Sequence, residues 1–347
     1  MKHFLTTSDF GQQELMNMIK TALVMKKSGW KKSLQDRILS MFFFNPSLRT
    51  RLSFITAMDK LGGLAVDLSS GSGGFPFEFK ENAVMDKNTI EHVKEAVPVI
   101  SRMSDAIAVR ASELVTASSK SVKVLSWDEV KKDTTIQSFA KYATVPVVNM
   151  ESNVYHPCQG LGDAMTIMEK LGNPKGKKYV LTWVYHPKAL PMATANSQIL
   201  SACDLGMQVT ITYPEGWDLD EDIINTAKAR ARQTGGSLTL ANSQQEAFQD
   251  AHIVCAKSWG SIRHYGAWSK EDKIKKGLKH WIVDKQKMDL TDNAYFMHCL
   301  PVRRNVEVTD EILDSLSSIV IDEAENRMWI QMAILDYLIG KKDKNHG

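Results

Sequence analysis

The chain has 347 residues, of which 43% are hydrophobic and 24% charged, with a formal net charge of +3. That length suits two domains with cores of their own. So small a net charge excludes a general pull toward nucleic acid or acidic membranes, leaving any anion chemistry to local arginines.

In chain order, the opening Met1-Lys2-His3-Phe4-Leu5-Thr6 soon turns polar and lacks an apolar signal core, so a cytoplasmic protein is expected. No apolar run approaches the roughly 20 residues of a membrane span. Residues 38–44 read as a buried strand, followed by an amphipathic stretch over 52–61 and a Gly62-Gly63 stop. Residues 64–68 form a second strand. The periodicity of 89–103 predicts a helix with Thr89 as N-cap and Glu91 and His92 in its first turn. A strand over 106–109, a helix over 128–142 and a strand over 145–150 complete a βαβα rhythm, the mark of a parallel sheet covered on both faces. The second half repeats it, with strands expected at 178–185, 208–213, 237–240, 252–256, 281–283 and 294–297. Helices are expected at 193–205, closed by Gly206, and 220–233, closed by Gly235-Gly236. A final amphipathic helix spans 325–338, and a charged tail follows from Lys341.

The fold class expected is therefore α/β, two doubly wound parallel-sheet domains, with the change of domain near 151–165. Cys158, Cys203, Cys255 and Cys299 are scattered with no CxxC pair, which argues against a disulfide framework and a zinc site. The glycine-rich stretch from Ser70 to Phe77 lacks the GxxxxGK[ST] pattern of a phosphate loop and reads as a connection carrying Phe75.

Four clusters carry chemistry. Ser47-Leu48-Arg49-Thr50-Arg51 lies between a buried strand and a helix, where free backbone N–H groups and the helix dipole favour a phosphate. Ser47 and Thr50 add hydroxyls and Arg49 a forked, permanently charged donor. A capped helix with a solvated basic first turn is the plain alternative. Arg110 ends one strand, His156-Pro157-Cys158-Gln159 opens the helix after another, and His298-Cys299-Leu300-Pro301-Val302-Arg303-Arg304 follows a third. Open parallel sheets bind ligands at such strand ends. Singly each cluster has a structural explanation; four together do not.

These segments, in this order and over nearly the whole chain, resemble the carbamoyl-phosphate transcarbamylase family, with Leu48 where the family usually has Thr. Aspartate transcarbamylases resemble His-Pro-Leu-Pro at the late motif, unlike His298-Cys299-Leu300-Pro301 here. Ornithine transcarbamylases carry a Ser-Met-Gly loop where this chain has Ala256-Lys257-Ser258-Trp259-Gly260. Lys257-Ser258-Trp259, Asn149-Met150-Glu151 and Trp183-Val184-Tyr185-His186-Pro187 instead look like the N-acylornithine branch.

The resemblance implies a carbamoyl-phosphate domain over 1–155, joined by the helix at 323–340, and an acylornithine domain over 156–322 with a knotted loop around His186-Pro187. Carbamoyl phosphate would meet Ser47, the Leu48 backbone, Arg49, Thr50, Arg110, His156, Gln159, the Leu300 carbonyl and Arg327, although a salt bridge to Glu323 is an equal account of Arg327. Thr50, Arg110 and His156 would face the carbonyl oxygen, and Cys299 would orient the attacking amine. The acylornithine would meet Glu151, His186, Lys257, Arg303, Cys299, Ile90 and Phe75. Acetyl-specific members resemble Asn88-Thr89-Ile90-Glu91-His92 with Glu at the Ile90 position, and succinyl-specific members carry Pro there. An uncharged residue spares a succinyl carboxylate from repulsion, so Ile90 favours succinyl, while longer runs look closer to the acetyl form. Some members carry a modifiable Lys where Glu307 stands; Glu307 already supplies a carboxylate. The partners implied are carbamoyl phosphate, an N-acylornithine and two further copies in a homotrimer, with no cofactor, metal, nucleic acid or membrane. A nucleotide-dependent oxidoreductase is disfavoured, since 178–195 offers no glycine for a G-x-G-x-x-G turn. An inactive oligomeric relative is the remaining alternative.

Overall fold

The computed structural model describes residues 1–68, 75–86, 88–112 and 126–340. Most of the glycine-rich stretch, residues 69–74, and the tail from 341 lie outside the described residues. The chain divides into two units, Met1–Thr116 with Val130–Cys158 and Arg327–Gly347, and Ala117–Glu129 with Gln159–Asn326.

In the first unit α1 spans Gln12–Ser28, β1 Ile38–Phe43, α2 Leu48–Lys60 and β2 Leu64–Asp67. Two-residue strands β3 (Phe77–Glu78) and β4 (Glu91–His92) pair with each other ahead of α3 (Val93–Met103) and β5 (Ala106–Arg110). The short helix α4 (Trp127–Val130), most of it counted with the second unit, and α5 (Thr134–Tyr142) precede β6 (Val147–Glu151). The main sheet is ordered β2-β1-β5-β6, and every pairing is parallel. The central strands β1 and β5 are buried along nearly their whole length, so they read as near-continuous apolar runs, interrupted by Ser40 in β1, rather than alternating ones. One face packs Phe42, Ile107 and Val109 against Phe139 and Val97 from the covering helices. The Phe139 ring sits 5.3 Å from that of Phe42, and full burial of such a ring contributes about 3 kcal/mol.

The second unit holds α6 (Pro157–Leu171, entered from the first), β7 (Lys178–Trp183), α7 (Ala193–Asp204), β8 (Gln208–Thr212), α8 (Glu221–Thr234) and β9 (Ser237–Ala241). Next come α9 (Gln244–Phe248), β10 (Ile253–Lys257), α10 (Trp268–Lys275), α11 (Lys285–Met288), β11 (Tyr295–Met297) and α12 (Asp310–Leu313). The last helix, α13 (Val320–Ile339), starts in this unit and ends in the first. The sheet order is β11-β10-β7-β8-β9, again parallel throughout. Gly235 closes α8 in the left-handed conformation, φ +79°, which a side chain would strain.

The α/β reading stands, with three local corrections. The helix expected from Thr89 begins at Val93, because Glu91 and His92 are drawn into the pairing with β3 and His92 becomes the N-cap. The expected helix over 128–142 is two helices, broken at Asp133, whose φ is +49° and whose carboxylate accepts from Ser152 Oγ (2.6 Å) and Asn153 N (2.8 Å). Residues 281–283 form no strand, only an isolated bridge between Val283 and Val308.

Candidate active site

Each sheet reverses its order of growth once, between β1 and β5 in the first unit and between β7 and β10 in the second. Ligands bind outside the carboxyl ends of parallel strands at such reversals; Ser47, Arg49 and Thr50 follow β1 and Arg110 ends β5, while His186 follows β7 and Lys257 ends β10.

In the first unit, Asn45 Oδ1 accepts from Ser112 N at 2.6 Å and ties the turns after β1 and β5 together. Ser47 caps α2, its Oγ accepting from Thr50 N at 3.3 Å. A helix start of this kind offers N–H groups without intrahelical partners, which suit an anion. Thr50 is buried, and Arg327 on α13 donates from Nη2 to its Oγ1 at 2.8 Å. Arg49 is half-buried and Leu48 exposed. Arg51 has a structural job: it pairs with Asp67 on β2 and lies over the Phe43 ring at 4.5 Å.

A register shift at the end of β5 sets Arg110 opposite Glu151, the last residue of β6, and the two form a buried ion pair. His156 Nε2 lies 3.8 Å from the same carboxylate. Arg110 Nε is buried with no hydrogen-bond partner among the described residues. The result is a cationic cluster of a helix start, Arg49, Arg110 and Arg327 with one built-in acid. It can hold a dianion and polarise a carbonyl beside it. Cys158 is wholly enclosed, and burial raises its thiol to about 12, which removes it as a nucleophile. Ile90, 68% exposed, and Phe75 belong to the β3–β4 region; the Phe75 ring packs on Phe77 at 4.8 Å and Ile90 N donates to the Pro76 carbonyl.

In the second unit, His186 lies beyond β7 and Lys257 ends β10. Arg303 Nε donates to His186 Nε2 at 2.9 Å, which leaves the ring proton on Nδ1 beside the Lys188 carbonyl at 3.0 Å. Burial pushes the His186 pKa down, and the nearby Lys257 and Arg303 charges add to that. Lys257 is buried, and its Nζ donates to the Ser258 carbonyl at 2.9 Å. Glu307, 1% exposed, accepts from Arg303 N at 2.7 Å and lies 3.4 Å from His298 Nε2. Burial raises the Glu307 carboxyl, but the hydrogen bond and charge of His298 and the charge of Lys257 outweigh it, so its pKa is lowered overall. His298 Nδ1 accepts from Leu300 N at 3.0 Å, in a turn where Leu300 has φ +52° and a cis bond to Pro301. Cys299 is half-buried beside it. Lys257 and Arg303 supply cation chemistry for a carboxylate-bearing ligand, and His186 accepts from Arg303 and holds it in place.

Sequence reasoning named Glu151 only as an acid facing the acceptor; its partners in the first unit are Arg110 and His156. It missed Asn45, Asp163 and the anchoring of Gln159. Asp163 stands four residues after Gln159 on α6, a spacing that places the two on one helix face and offers a usable signal.

Two family models match the chain: the carbamoyl-P binding domain of aspartate/ornithine carbamoyltransferase over residues 2–169, and the Asp/Orn binding domain over 191–338. An N-acetylornithine carbamoyltransferase of Xanthomonas campestris is 42% identical over 98% of this chain and 98% of its own length. An N-succinylornithine carbamoyltransferase of Bacteroides thetaiotaomicron is 34% identical over 98% of this chain and 99% of its own. A crystal structure of an acetylornithine transcarbamylase complexed with acetylcitrulline superposes with a TM-score of 0.92, at 42% identity, covering 98% of this chain and all of that one. The chain therefore belongs to the aspartate/ornithine carbamoyltransferase family, and it is an enzyme of the carbamoyltransferase class. Among the described residues no helix is long and apolar enough to cross a membrane.

Proposed function

We propose that the chain transfers the carbamoyl group of carbamoyl phosphate to the δ-amine of N-succinyl-L-ornithine, giving N-succinyl-L-citrulline and phosphate in arginine biosynthesis. An N-acylornithine as acceptor is supported by both sets of relatives named above. The observation that carries the donor half is the hydrogen bond from Arg327 to Thr50, which brings a late arginine onto the first turn of α2.

In this reading the phosphate sits on the α2 start, held by Ser47, the Leu48 N–H, Arg49, Thr50 and Arg327. Arg110, His156 and Thr50 face the carbonyl oxygen, where charge grows as the amine attacks; the best-placed such donor is worth about 3–4 kcal/mol. Gln159 and the Leu300 carbonyl take the carbamoyl NH2. Glu151, Phe75 and Ile90 are assigned to the acceptor. Lys257 and Arg303 hold its carboxylate, His186 steadies Arg303 from behind, and Cys299 orients its amine. The amine nitrogen bonds to the carbamoyl carbon, the C–O bond to phosphate breaks, and the departing phosphate oxygen takes the amine proton.

Succinyl is preferred over acetyl on the strength of Ile90. Crystal structures of an N-acetyl-L-ornithine transcarbamylase with one glutamate replaced by valine, proline, alanine or serine are complexes with carbamyl phosphate and N-succinyl-L-norvaline. Those complexes agree with loss of a negative charge admitting a succinyl group. The 42% identity to an N-acetylornithine enzyme favours the acetyl substrate as a second reading. The four scattered cysteines, with no CxxC pair, suit a cytoplasmic setting, and the apolar row Leu48, Leu52 and Ile55 exposed on α2 suits the subunit contact of a homotrimer.

The test is citrulline-product formation with N-succinyl-, N-acetyl- and free L-ornithine side by side, for the wild type and Ile90→Glu. The succinyl substrate is expected to turn over fastest, and Ile90→Glu to reverse that order by about tenfold or more. Preference of the wild type for the acetyl substrate would overturn the specificity; no reaction with any of the three would overturn the transferase reading.

A further inference from the structure

Gln159 is 1% exposed, and its amide nitrogen is committed twice: Nε2 donates to Asp163 Oδ1 at 2.7 Å and to Glu323 Oε1 at 3.2 Å. Carboxylates accept and an NH2 donates, so this pairing fixes which end of the amide faces which way. The other end, Oε1, is buried with no hydrogen-bond partner among the described residues. Native interiors rarely leave such an acceptor unmet unless a ligand meets it.

The anchors are themselves held. Asp163 Oδ2 accepts from Gln198 Nε2 on α7 at 2.9 Å. There α6 and α7 approach so closely that a Cβ on Gly160 would fall 2.6 Å from the Ser197 carbonyl. Glu323 is fully buried, and its second oxygen accepts from His298 N at 2.8 Å. One carboxylate thus braces both Gln159 and the turn that carries Leu300. All of these residues lie in the second unit.

We propose that Glu323, assisted by Asp163, is a positioning residue that aims the Gln159 carbonyl and the Leu300 turn at a donor NH2 on the ligand, so that the enzyme reads a carbamoyl group against its methyl isostere. This rests on the carbamoyl-phosphate reading of the site and adds to it the device that makes the donor amide recognisable. Glu323 touches no reacting atom; it acts by leaving Gln159 a single orientation. Were the amide reversed, its NH2 would face the ligand's NH2 and repel it.

The experiment compares two competitive inhibitors, phosphonoacetamide, which keeps the NH2, and 2-oxopropylphosphonate, which has a methyl in its place. The wild type is expected to bind the amide about tenfold more tightly, the value of one well-made hydrogen bond in a closed site. In Glu323→Gln a single carbonyl oxygen must serve two donors. Discrimination should then fall toward unity and the KM for carbamoyl phosphate rise about tenfold, with the KM for the acylornithine unchanged. Asp163→Asn should move the same way by less. Thermal unfolding is followed in parallel. A merely structural role would weaken both inhibitors and both substrates together and keep the ratio, and that result overturns the proposal. Should Glu323→Gln not fold, Asp163→Asn decides. A wild type that binds both phosphonates equally overturns the proposal without any variant. Failure of the transferase reading looks different: no turnover, and no phosphonate binding at all.

Discussion

The two units share a plan and differ in what they set on it. Each is a parallel sheet that reverses its order once, and each puts its polar groups at the strand ends flanking that reversal. The first unit places cations there: a helix start, Arg49, Arg110 and Arg327, with Glu151 tempering one of them. The second places a braced set of mixed sign, with Lys257, Arg303, His186 and His298 around Glu307, and Glu323 and Asp163 around Gln159. Topology chooses the place and a few strand-end residues choose the chemistry. A cluster of arginines suits a small dianion that any cation attracts. A braced network suits groups that must be distinguished from close relatives, the carbamoyl NH2 at Gln159 and an acceptor carboxylate at Lys257 and Arg303.

The sharpest way to break that contrast is Arg110→Met. It removes a donor from the proposed carbonyl site and strands the Glu151 carboxylate in a buried position. We expect kcat/KM to fall about a thousandfold and stability to drop by about 3 kcal/mol. Steady-state kinetics with denaturant unfolding reads both, and activity within tenfold of wild type would remove Arg110 from the chemistry. Next is Lys257→Met in the second unit, expected to raise the acylornithine KM about a hundredfold. The KM for carbamoyl phosphate should stay put; if both rise alike, the division of labour between the units is wrong.

The smallest expected effect is on pH. Burial holds the His186 pKa below its usual 6.5, so the folded state resists protonating it. The sign follows: the contribution to stability is complete above 6.5 and is lost as pH falls through the depressed value. A protonated Nε2 also cannot accept from Arg303. Glu307, lowered likewise, is lost in the same direction at more acid pH. Calorimetric binding of N-succinyl-L-norvaline, which has no side-chain amine to titrate, should weaken about threefold from pH 7 to 6. Phosphonoacetamide binding should weaken less. A flat profile for norvaline would detach His186 from the acceptor.

Most of this was legible in the chain because doubly wound folds write themselves locally. Apolar strands, capped helices and glycine stops gave the βα rhythm, and Ser47, Arg110, His156 and His298 stood out as polar residues at strand ends. What escaped depends on partners distant in sequence. Asp133 leaves the helical conformation because residues 152 and 153 claim its carboxylate. Glu91 and His92 become a strand because Phe77 and Glu78 are there to pair with them. The Arg110–Glu151 pair needs the shift between β5 and β6, and Glu323 reaches residues as far off as Gln159. No local pattern encodes these.

The course of α13 bears on how the molecule is made. Its later turns complete the first unit: Trp329 packs on Trp30 at 5.3 Å, and Tyr337 donates to Glu14 at 2.5 Å. The ribosome therefore delivers the opening strands of the first unit long before the helix that seals them. The second unit, framed mainly between residues 159 and 326, has nearly all its parts as soon as α13 begins. Domains usually fold in order of emergence. Here the order of synthesis and the order of completion run opposite ways, and the half of the protein that is begun first must wait for the last helix to be finished.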